Sequence, residues 1–479
     1  MNVVVVGAGI VGAAIARKLS MYDLNLIILE KQPEAGWGIT KANSGIVHAG
    51  YDDPPGTLRA SLCSRGNMMY EEMCKQLKVD FKRIGSLVVA FTSDEVKVLH
   101  ELMRRGELNN VKGLKLLDRE EVLSLEPRLN GNVVAALHAE TAGITEPWMV
   151  AIACVENAVQ NGAKFLPNTK VVGFEIVKGR IRYVLTDSDK IPADVIINAT
   201  GMESDLLAKL AGVYHPPLHP RRGQYILIDK NAGNIVNSVI FPTPTKDSKG
   251  ILVLPTVDGG TLIGPNAEDL GDWERESVST TFEGLREVLE KASHLVPHLP
   301  VNRIIKTFAG LRPETPNKDF YITAETSPWG FVNVGGMRSP GLTAAPAIAE
   351  YVVEYLIPEK LHISLTRKKD FNPERQKIPH PADSTPEKWH EMIARDKRWG
   401  RIVCACNEVT EMEIREAIRR GARTLDAIKF RTRAMFGKCQ GGFCTHRIMK
   451  ILAEETGQAL EDVMKAEAGS WILDGKVRP

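Results

Sequence analysis

The chain has 479 residues, of which 43% are hydrophobic and 25% are charged, so it is long enough for more than one domain and ordinary for a globular protein. The formal net charge at pH 7 is only +2 and the Lys and Arg clusters are short, which argues against a nucleic-acid partner. No basic leader precedes the first apolar run, and no stretch approaches the roughly 18 consecutive apolar residues of a membrane-spanning helix. These features predict a cytoplasmic protein without a transmembrane segment, and they leave a peripheral membrane contact open.

The first thirty residues predict a β-turn-α-β unit. Residues 2–7 and 24–30 are apolar runs, and residues 9–20 have the apolar spacing of a helix. Between them, G-A-G-I-V-G at residues 7–12 fits the G-x-G-x-x-G pattern, whose glycines allow a tight turn, close approach of a pyrophosphate, and close packing of helix on strand. Glu30 ends the second strand, where a carboxylate can accept hydrogen bonds from an adenosine ribose. The unit predicts a dinucleotide site; the alternative is a glycine-rich turn with a surface Glu.

Beyond residue 80, the pattern predicts alternating strands and helices. Strands are predicted at 165–177, 180–186, 195–199 and 330–334, and helices at 151–161 and from Pro340 to about Leu356. Residues 81–144 alternate short strands with polar helices, whereas residues 216–309 are mainly strand-like, with one helix around 281–294. Composition changes at Pro358, and residues 357–400, rich in Pro, Lys, Asp and His, predict a linker that wraps the surface.

Two later turns indicate which dinucleotide is bound. The run D-V-I-I-N-A-T-G at residues 194–201 is similar to the turn by which a late strand returns beside the cofactor in two-domain flavoproteins. The run G-G-M-R-S-P-G-L-T at residues 335–343 leads from a strand into a helix, whose free N–H groups and positive dipole end suit the negatively charged edge of a reduced flavin. The alternative for this second turn is an ordinary Gly/Pro helix cap.

Five segments in the expected order carry a family likeness. Together they resemble the D-amino-acid oxidase/glycerol-3-phosphate dehydrogenase superfamily of FAD proteins, over about residues 1–356. The S-G-x-x-H-A-G stretch is similar to the flavin-dependent glycerol-3-phosphate and L-2-hydroxyglutarate dehydrogenases. The five segments are Gly7 to Glu30, Asn43 to Gly50, Arg222 to Tyr225, Gly310 to Pro313, and Gly336 to Thr343.

The resemblance implies an α/β fold in which two domains are interleaved along the chain. A Rossmann-like FAD-binding domain would come from residues 1–80, 145–215 and 310–356, and a mostly antiparallel substrate domain from residues 81–144 and 216–309. The flavin would lie between these domains. The expected cofactor-binding residues are Gly7, Gly9, Ile10, Val11, Gly12, Glu30, Lys31, Ser44, Gly45, Val171, Ala199, Thr200, Gly201, Gly336, Arg338, Ser339, Gly341, Leu342 and Thr343.

Four residues are candidates for the chemistry of alcohol oxidation, which removes a hydride from carbon and a proton from oxygen. His48 is the expected base or substrate-orienting residue, and the alternative is that it only packs against or hydrogen-bonds the flavin. By the resemblance, Arg312 would anchor a phosphate or carboxylate through its guanidinium fork; the alternative is a structural pair with Glu314 on the surface. Arg338 is the second candidate for the anion, and Tyr225 could close the site or simply fill the core.

The end of the chain carries a cysteine motif. Thiolates are soft ligands that suit iron–sulfur clusters, and four satisfy a [2Fe–2S] centre. The stretch resembles the bacterioferritin-associated ferredoxin-like domain, so residues 401–460 are expected to form a small helical domain before a tail at 461–479. One of its two helices should begin at Thr410, with Glu413 completing a capping box. Structural zinc and free thiols are the alternatives. The four cysteines are Cys404, Cys406, Cys439 and Cys444.

These features favour an FAD-dependent glycerol-3-phosphate dehydrogenase that produces dihydroxyacetone phosphate and passes electrons to a partner protein. The second hypothesis is an L-2-hydroxyglutarate dehydrogenase or a dehydrogenase of another 2-hydroxy acid, because Arg312 would serve either small anionic substrate. The third hypothesis is a non-catalytic electron-transfer subunit of a larger complex.

Overall fold

The computed structural model describes residues 1–245 and 249–475. Within these ranges, no helix is both long and apolar enough to cross a membrane. The chain divides into two compact units. The first contains Met1–Glu30 and Ala35–Arg375, and the second contains Lys31–Glu34 and the chain from Gln376 onward.

The first strand of the chain, Asn2–Val6, belongs to a mixed nine-stranded sheet, called the first sheet below. Its central strands are apolar and buried, because they are covered on both faces, as is usual for parallel sheets. Five neighbouring strands, from Trp329–Gly335 to Lys164–Leu166, run parallel. The order across the sheet is Val171–Val177, Arg180–Thr186, Trp329–Gly335, Val195–Asn198, Asn2–Val6, Asn25–Leu29 and Lys164–Leu166, with Lys190–Pro192 paired to the second strand and Tyr321–Thr326 to the third.

A second nine-stranded sheet is mostly antiparallel. Only the pair formed by Ser86–Ala90 and Val239–Pro242 is parallel. Its longest pairing joins His219–Ile228 to Ile304–Glu314 and sets Arg221 opposite Arg312. The order is Glu268–Asp269, His219–Ile228, Thr261–Ile263, Val253–Pro255, Val239–Pro242, Ser86–Ala90, Ala135–Ala139 and Leu114–Asp118, with Ile304–Glu314 on His219–Ile228.

The helices of the first unit and a small three-stranded antiparallel sheet complete this fold, and the prediction of an α/β fold with a mostly antiparallel second sheet is confirmed. The small sheet pairs Ile46–Val47, Gly143–Thr145 and Phe81–Arg83. The α-helices are Ile10–Leu19, Leu58–Leu77, Ser93–Leu108, Arg119–Leu125, Pro147–Gln160, Ser204–Leu210, Phe282–Leu295, Gly341–Glu350 and Ile357–Leu361. Short 3₁₀ turns lie at Gly38–Lys41, Gly201–Glu203, Lys230–Ala232, Asp272–Glu274 and Val301–Arg303.

The helix predicted from Pro340 to Leu356 is present but changes its winding. It is α-helical over Gly341–Glu350 and continues as a π-helix over Tyr351–Leu356. Pro346 lies inside the α-helical part, where it cannot donate to the backbone ladder. The long helix Leu58–Leu77 was not predicted, because its sequence has many polar residues and a weak apolar period.

The predicted linker does not behave as one segment. Residues up to Arg375 belong to the first unit. The buried Arg375 pairs with Glu156, and it donates from Nη1 to the carbonyl of Leu77 at 3.2 Å. Further along, Pro386–Arg395 is a helix capped by Thr385, and Pro at its first turn is compatible with helix formation. The predicted linker therefore includes a segment that is held to the first unit by Arg375 and, further along, a helix.

The second unit is small and helical around the cysteines. Its short strands, Ile402–Cys404 and Val409–Thr410, pair antiparallel. The Thr410 hydroxyl accepts from the Glu413 N–H at 3.3 Å, and the Thr410 N–H donates to the Glu413 carboxylate at 2.8 Å, so the predicted capping box is confirmed. The α-helices are Pro386–Arg395, Glu411–Arg419, Leu425–Thr432 and Thr445–Thr456, and the 3₁₀ turns are Pro381–Asp383, Lys397–Gly400 and Leu460–Asp462.

Candidate functional site

The glycine turn after the first strand packs tightly against a second turn. A Cβ on Gly7, which has φ of 98°, would lie 2.5 Å from the carbonyl oxygen of Ala199, and a Cβ on Gly12 would lie 2.0 Å from that of Gly7. Since real Cβ atoms do not approach oxygen so closely, both positions need glycine. The start of the following helix is further fixed by Thr40, whose hydroxyl accepts from the Ile10 N–H at 3.0 Å.

The turns that the sequence singled out meet at one edge of the first sheet. The residues Gly7, Glu30, Ala199 and Gly336 each follow the end of a parallel strand. The carboxyl ends of parallel strands share one edge, and ligands of such sheets bind there. The sheet therefore assembles sequence-distant turns into one wall.

Glu30 is buried and supports the glycine turn directly. Its Oε2 accepts from the Ala8 N–H at 2.7 Å. A charged acceptor on a backbone N–H is one of the stronger hydrogen bonds, so the carboxylate holds the turn in shape. Lys31, predicted beside it, is exposed.

A cleft of about 1420 Å³, which includes solvent at its mouth, lies in the first unit. Residues of both large sheets and of their connections line it, so it has the two-sided character expected of a flavin site. Thirteen of the predicted site residues line this cleft: Gly9, Ile10, Val11, Ser44, His48, Ala199, Gly201, Tyr225, Arg312, Arg338, Ser339, Gly341 and Leu342.

Other predicted residues are not among the described residues that line the cleft. The Thr343 hydroxyl accepts from the His48 N–H at 2.9 Å, and the Thr200 hydroxyl donates to Asn198 Oδ1 at 2.8 Å. Gly45 and Gly336 have φ of 71° and 70°, which favours glycine at both positions. Val171 begins its strand and packs in the core with Ile181 and Phe331.

His48 lies on the cleft wall, on the loop after Ile46–Val47. Its Nε2 is 3.2 Å from Ser339 Oγ, and its carbonyl accepts from Asn67 Nδ2 at 2.9 Å. Burial, followed by the positive charge of Lys249, lowers the pKa of His48 to about 3. The imidazole is therefore neutral at pH 7, and the same two effects make it a weaker base than a free imidazole.

Arg312 turns toward the cleft from the strand Ile304–Glu314. Its Nη2 donates to the carbonyl of Asn266 at 3.0 Å, whereas its buried Nη1 has no hydrogen-bond partner among the residues that the structure describes. Burial lowers the pKa of this guanidinium, which means that its charge is poorly solvated. An anion at Nη1 would satisfy both the donor and the charge. Tyr225, whose ring stacks on Phe308 at 4.8 Å, lies in the same wall.

The structural pair considered for Arg312 is formed by a different arginine. Glu314 is buried, and its Oε1 lies 3.1 Å from Arg338 Nη1. Among the described residues, the surface pair considered between Arg312 and Glu314 is not formed, because Glu314 is buried and Arg338 reaches it from another segment. Arg338 is partly neutralised, and Arg312 remains the better anion ligand.

Sequence reasoning missed polar residues that tertiary folding brings to the cleft. Lys249 lies on its wall and forms an ion pair with Asp52 at 2.6 Å. Arg221 also lines the cleft, at 3.6 Å from Asp269. No motif marks these residues, and Asn266 contributes only a backbone carbonyl. Among the residues that the structure describes, four cationic side chains line the cleft, Arg221, Lys249, Arg312 and Arg338, and their charge favours an anion.

The four C-terminal cysteines come together in the second unit. The Sγ atoms of Cys406 and Cys439 are 3.8 Å apart, and the Cys444 thiol is hydrogen-bonded to Cys404. Cys404 and Cys444 are buried, whereas Cys406 and Cys439 are half-exposed. Among the described residues, no three His, Cys, Asp or Glu side chains are gathered for a single metal ion. The thiols therefore lie as two pairs.

Backbone N–H groups surround these sulfur atoms. The hydrogen bond from Cys444, together with N–H groups that include that of Met435, lowers the pKa of Cys404 to about 6 against opposing burial. N–H groups of Gly441 and Phe443 outweigh burial and lower the pKa of Cys439. Metal binding needs thiolates, and N–H donors to sulfur tune iron–sulfur clusters. The donor set fits a [2Fe–2S] cluster held by four thiolates.

Comparison with known proteins shows two family matches. The FAD dependent oxidoreductase family (DAO) matches residues 2–355, which include the cleft. The BFD-like [2Fe-2S] binding domain matches residues 402–454, which include all four cysteines. The cofactors predicted from the sequence, FAD and a [2Fe–2S] cluster, are confirmed by these matches, and the cluster is favoured over zinc.

Individual relatives agree with these families. A protein of Caloramator mitchellensis named glycerol 3-phosphate dehydrogenase is 44% identical over 479 residues, which is 100% of this chain and 99% of the relative. A glycerol 3-phosphate oxidase of Mycoplasma genitalium is 34% identical, covering 78% of this chain and 97% of the relative. The solved structure of dithionite-reduced L-alpha-glycerophosphate oxidase from Mycoplasma pneumoniae with FAD bound has a TM-score of 0.73 at 33% identity, covering 78% of this chain and 98% of that one.

Replacing Gly12 tests whether the close-packed turn holds the flavin. Gly12→Ala puts a methyl group 2.0 Å from the carbonyl oxygen of Gly7, which must displace the turn at a cost of about 1–3 kcal/mol. We expect purified Gly12→Ala protein to have a lower flavin-to-protein ratio, measured by visible absorbance. Gly131→Ala is the matched control, because a Cβ there meets no atom within 4 Å; equal flavin content in the two variants would contradict the assignment.

Proposed function

The chain belongs to the FAD dependent oxidoreductase family, and from this premise we propose that it is an FAD-dependent glycerol-3-phosphate dehydrogenase, which oxidises glycerol 3-phosphate to dihydroxyacetone phosphate. The observation that carries the proposal is the relationship to a glycerol 3-phosphate dehydrogenase over the whole chain, including the cysteine domain. The cationic cleft supports the same conclusion, since the substrate is a small dianion.

Binding begins with the phosphate at Arg312. The buried and unpartnered Nη1, together with the charges of Arg221 and Lys249 on the same wall, supports this assignment. A guanidinium offers parallel N–H donors to two phosphate oxygens and so fixes orientation as well as position. Anchoring one end of a three-carbon substrate leaves its secondary hydroxyl at a defined distance, which is how positioning lowers the barrier of the reaction.

His48 is proposed as the base for that hydroxyl. Bound FAD supplies the acceptor for the hydride that leaves carbon, and His48 takes the hydroxyl proton at Nε2, the nitrogen that faces Ser339. The low pKa of His48 keeps this nitrogen unprotonated across the physiological range but also makes it a weak base, so the proton moves to it only as the hydride leaves. The neighbouring charge of Lys249 disfavours the imidazolium, so the proton is readily passed on to water.

The electrons are proposed to leave through the cysteine domain to a separate partner protein. Oxidation of one alcohol releases two electrons, whereas a [2Fe–2S] centre transfers one at a time. The presence of a BFD-like domain on the same chain supports a protein acceptor rather than mainly oxygen. A 2-hydroxy-acid substrate would need the same anion site, so it is the second candidate on the grounds of Arg312 alone.

Anaerobic titration of the flavin tests the substrate. We expect glycerol 3-phosphate to bleach the flavin absorbance of the purified holoenzyme because it supplies both the anion for Arg312 and the secondary alcohol. L-2-hydroxyglutarate is the control that carries carboxylates in place of the phosphate. Glycerol is the control that lacks an anionic group. Bleaching by L-2-hydroxyglutarate alone would replace the proposed substrate, and bleaching by none of the three would reject catalysis of this kind.

Replacing His48 tests the assigned base. His48→Ala should retain flavin but bleach with glycerol 3-phosphate about 100-fold or more slowly, in the range of lost general-base catalysis. Because its pKa is about 3 in the folded protein, His48 stays neutral above that pH, so the wild-type bleaching rate should show no His48-dependent fall between pH 8 and pH 5. An unchanged rate in stopped-flow measurements of His48→Ala would contradict the role.

Replacing Arg312 tests the phosphate anchor. Arg312→Ala removes charge-assisted hydrogen bonds worth about 1.5–3 kcal/mol, so the concentration of glycerol 3-phosphate for half-maximal bleaching should rise about 10- to 150-fold. Arg338→Ala is the comparison, since Glu314 already neutralises that side chain, and we expect a smaller rise. If Arg338→Ala has the larger effect at full flavin content, the two assignments must be exchanged.

A further inference from the structure

Positive charge is concentrated in the sequence around Cys439 and Cys444. The whole chain is nearly balanced, with 61 Lys and Arg against 59 Asp and Glu. Residues 429–450, however, contain six cations and no Asp or Glu, although Cys439 and Cys444 both lie in this stretch. The six are Lys429, Arg431, Arg433, Lys438, Arg447 and Lys450.

The outer part of this stretch faces solvent. Lys438, Arg447 and Lys450 are all exposed, so their charges contribute to the field outside the protein rather than to the core. The neighbouring His446 is exposed as well and adds positive charge when it is protonated. The three always-charged side chains form the basic rim, the name used below.

An exposed aromatic side chain lies between the residues of the basic rim in the sequence. Phe443 is 87% exposed, although a phenylalanine side chain is normally buried. It lies between Cys439 and Cys444, on the loop 437–444, here called the cysteine loop. Aromatic anchors surrounded by polar residues are typical of protein interfaces. At this exposure the ring contributes little to the packing of the described fold.

The cysteine loop is hydrogen-bonded to the sulfur of Cys439. The backbone N–H groups of Phe443 and Gly441 donate to the sulfur of Cys439. Cys439 and its neighbour Cys406 are the half-exposed members of the four, whereas Cys404 and Cys444 are buried. The surface that carries Phe443 is therefore also the surface at which the metal ligands come nearest to solvent.

We propose that the basic rim and Phe443 form the docking surface for an acidic one-electron carrier protein, which receives electrons from the cluster. This inference rests on the proposed function and specifies its partner. Opposite charge steers the encounter and orients the acceptor, and the aromatic ring supplies apolar contact at the centre of a small, transient interface, as is usual for redox encounters. Docking at this place minimises the distance that each electron must cross.

The overall reaction balances with two carriers. Glycerol 3-phosphate loses two electrons and two protons to become dihydroxyacetone phosphate, one proton leaving with the electrons as hydride and the other from the hydroxyl. Two oxidised carriers each accept one electron, and both protons are released to water. Nothing is transferred covalently to the partner, which fits a surface without a nucleophile or a deep pocket.

A matched pair of haem proteins tests the charge preference. The holoenzyme is reduced with dithionite, freed of excess reductant, and mixed in a stopped-flow instrument with a soluble acidic b-type cytochrome or a basic c-type cytochrome. We expect the acidic probe to react faster at low salt and to slow steeply as salt is raised, because screening acts over about 8 Å at 0.15 M ionic strength. Reduction by dithionite makes this result independent of the substrate, so failure of the proposed function is seen separately in the flavin titration.

Charge reversal locates the surface. Arg447→Glu/Lys450→Glu should slow the acidic cytochrome about ten-fold or more and speed the basic one, and Phe443→Ala should slow the acidic probe about five-fold or more through loss of an aromatic anchor. Lys112→Glu/Lys170→Glu, which reverses two exposed lysines elsewhere, is the control of equal charge. Unchanged cluster absorbance and electron paramagnetic resonance would show that the variants keep the cluster.

Two outcomes would overturn the proposal. One is an equal effect of the rim and control variants on the acidic cytochrome, which would leave only a net-charge effect. The other is an unchanged cytochrome rate together with lost binding to phosphatidylglycerol vesicles in the rim variant, since basic and aromatic groups also suit an anionic lipid surface. In that case the surface would serve a membrane and not a carrier.

Discussion

The close approach of Gly310 to the backbone of Ala42 is the contact on which the active-site cleft depends. A Cβ on Gly310 would lie only 1.9 Å from the carbonyl oxygen of Ala42, so no other residue fits without displacing one of the two segments. Gly310 belongs to the strand Ile304–Glu314 of the second sheet, whereas Ala42 follows the 3₁₀ turn Gly38–Lys41. This contact brings Arg312, two residues further along, onto the same cleft wall as His48.

Burial then gives the side chains at this junction their chemistry. The same loss of water lowers the pKa of His48 and of Arg312, but the consequences differ. The imidazole stays neutral, while the guanidinium stays charged and would gain from meeting an anion. A neutral imidazole and a poorly solvated guanidinium therefore arise in one cleft from one physical cause.

The cysteine domain differs from the cleft, because two of its four cysteine thiols lie near the surface. Two thiols are buried and two are half-exposed. The hydrogen bond from Cys444, with backbone N–H donors, lowers the pKa of Cys404, and N–H donors of Gly441 and Phe443 lower the pKa of Cys439 against opposing burial. A substrate cleft must exclude water to strengthen its electrostatics, whereas a one-electron outlet must come close to its partner. In the proposed function, the two units divide the reaction between a hydride transfer in the cleft and an electron transfer at the half-exposed cysteines.

The sequence by itself determined the features that are local along the chain. The packing of Gly12 on Gly7 and the capping box at Thr410 are recognisable because their contacts lie within a few residues. The four cysteines have a spacing that indicates a cluster. Only the tertiary structure decided that Arg338, and not Arg312, pairs with Glu314, and that Lys249 meets Asp52 beside His48. These pairs join distant segments of the chain, and sheet register and the close approach of backbones decide such contacts, which leave no periodic trace in the sequence.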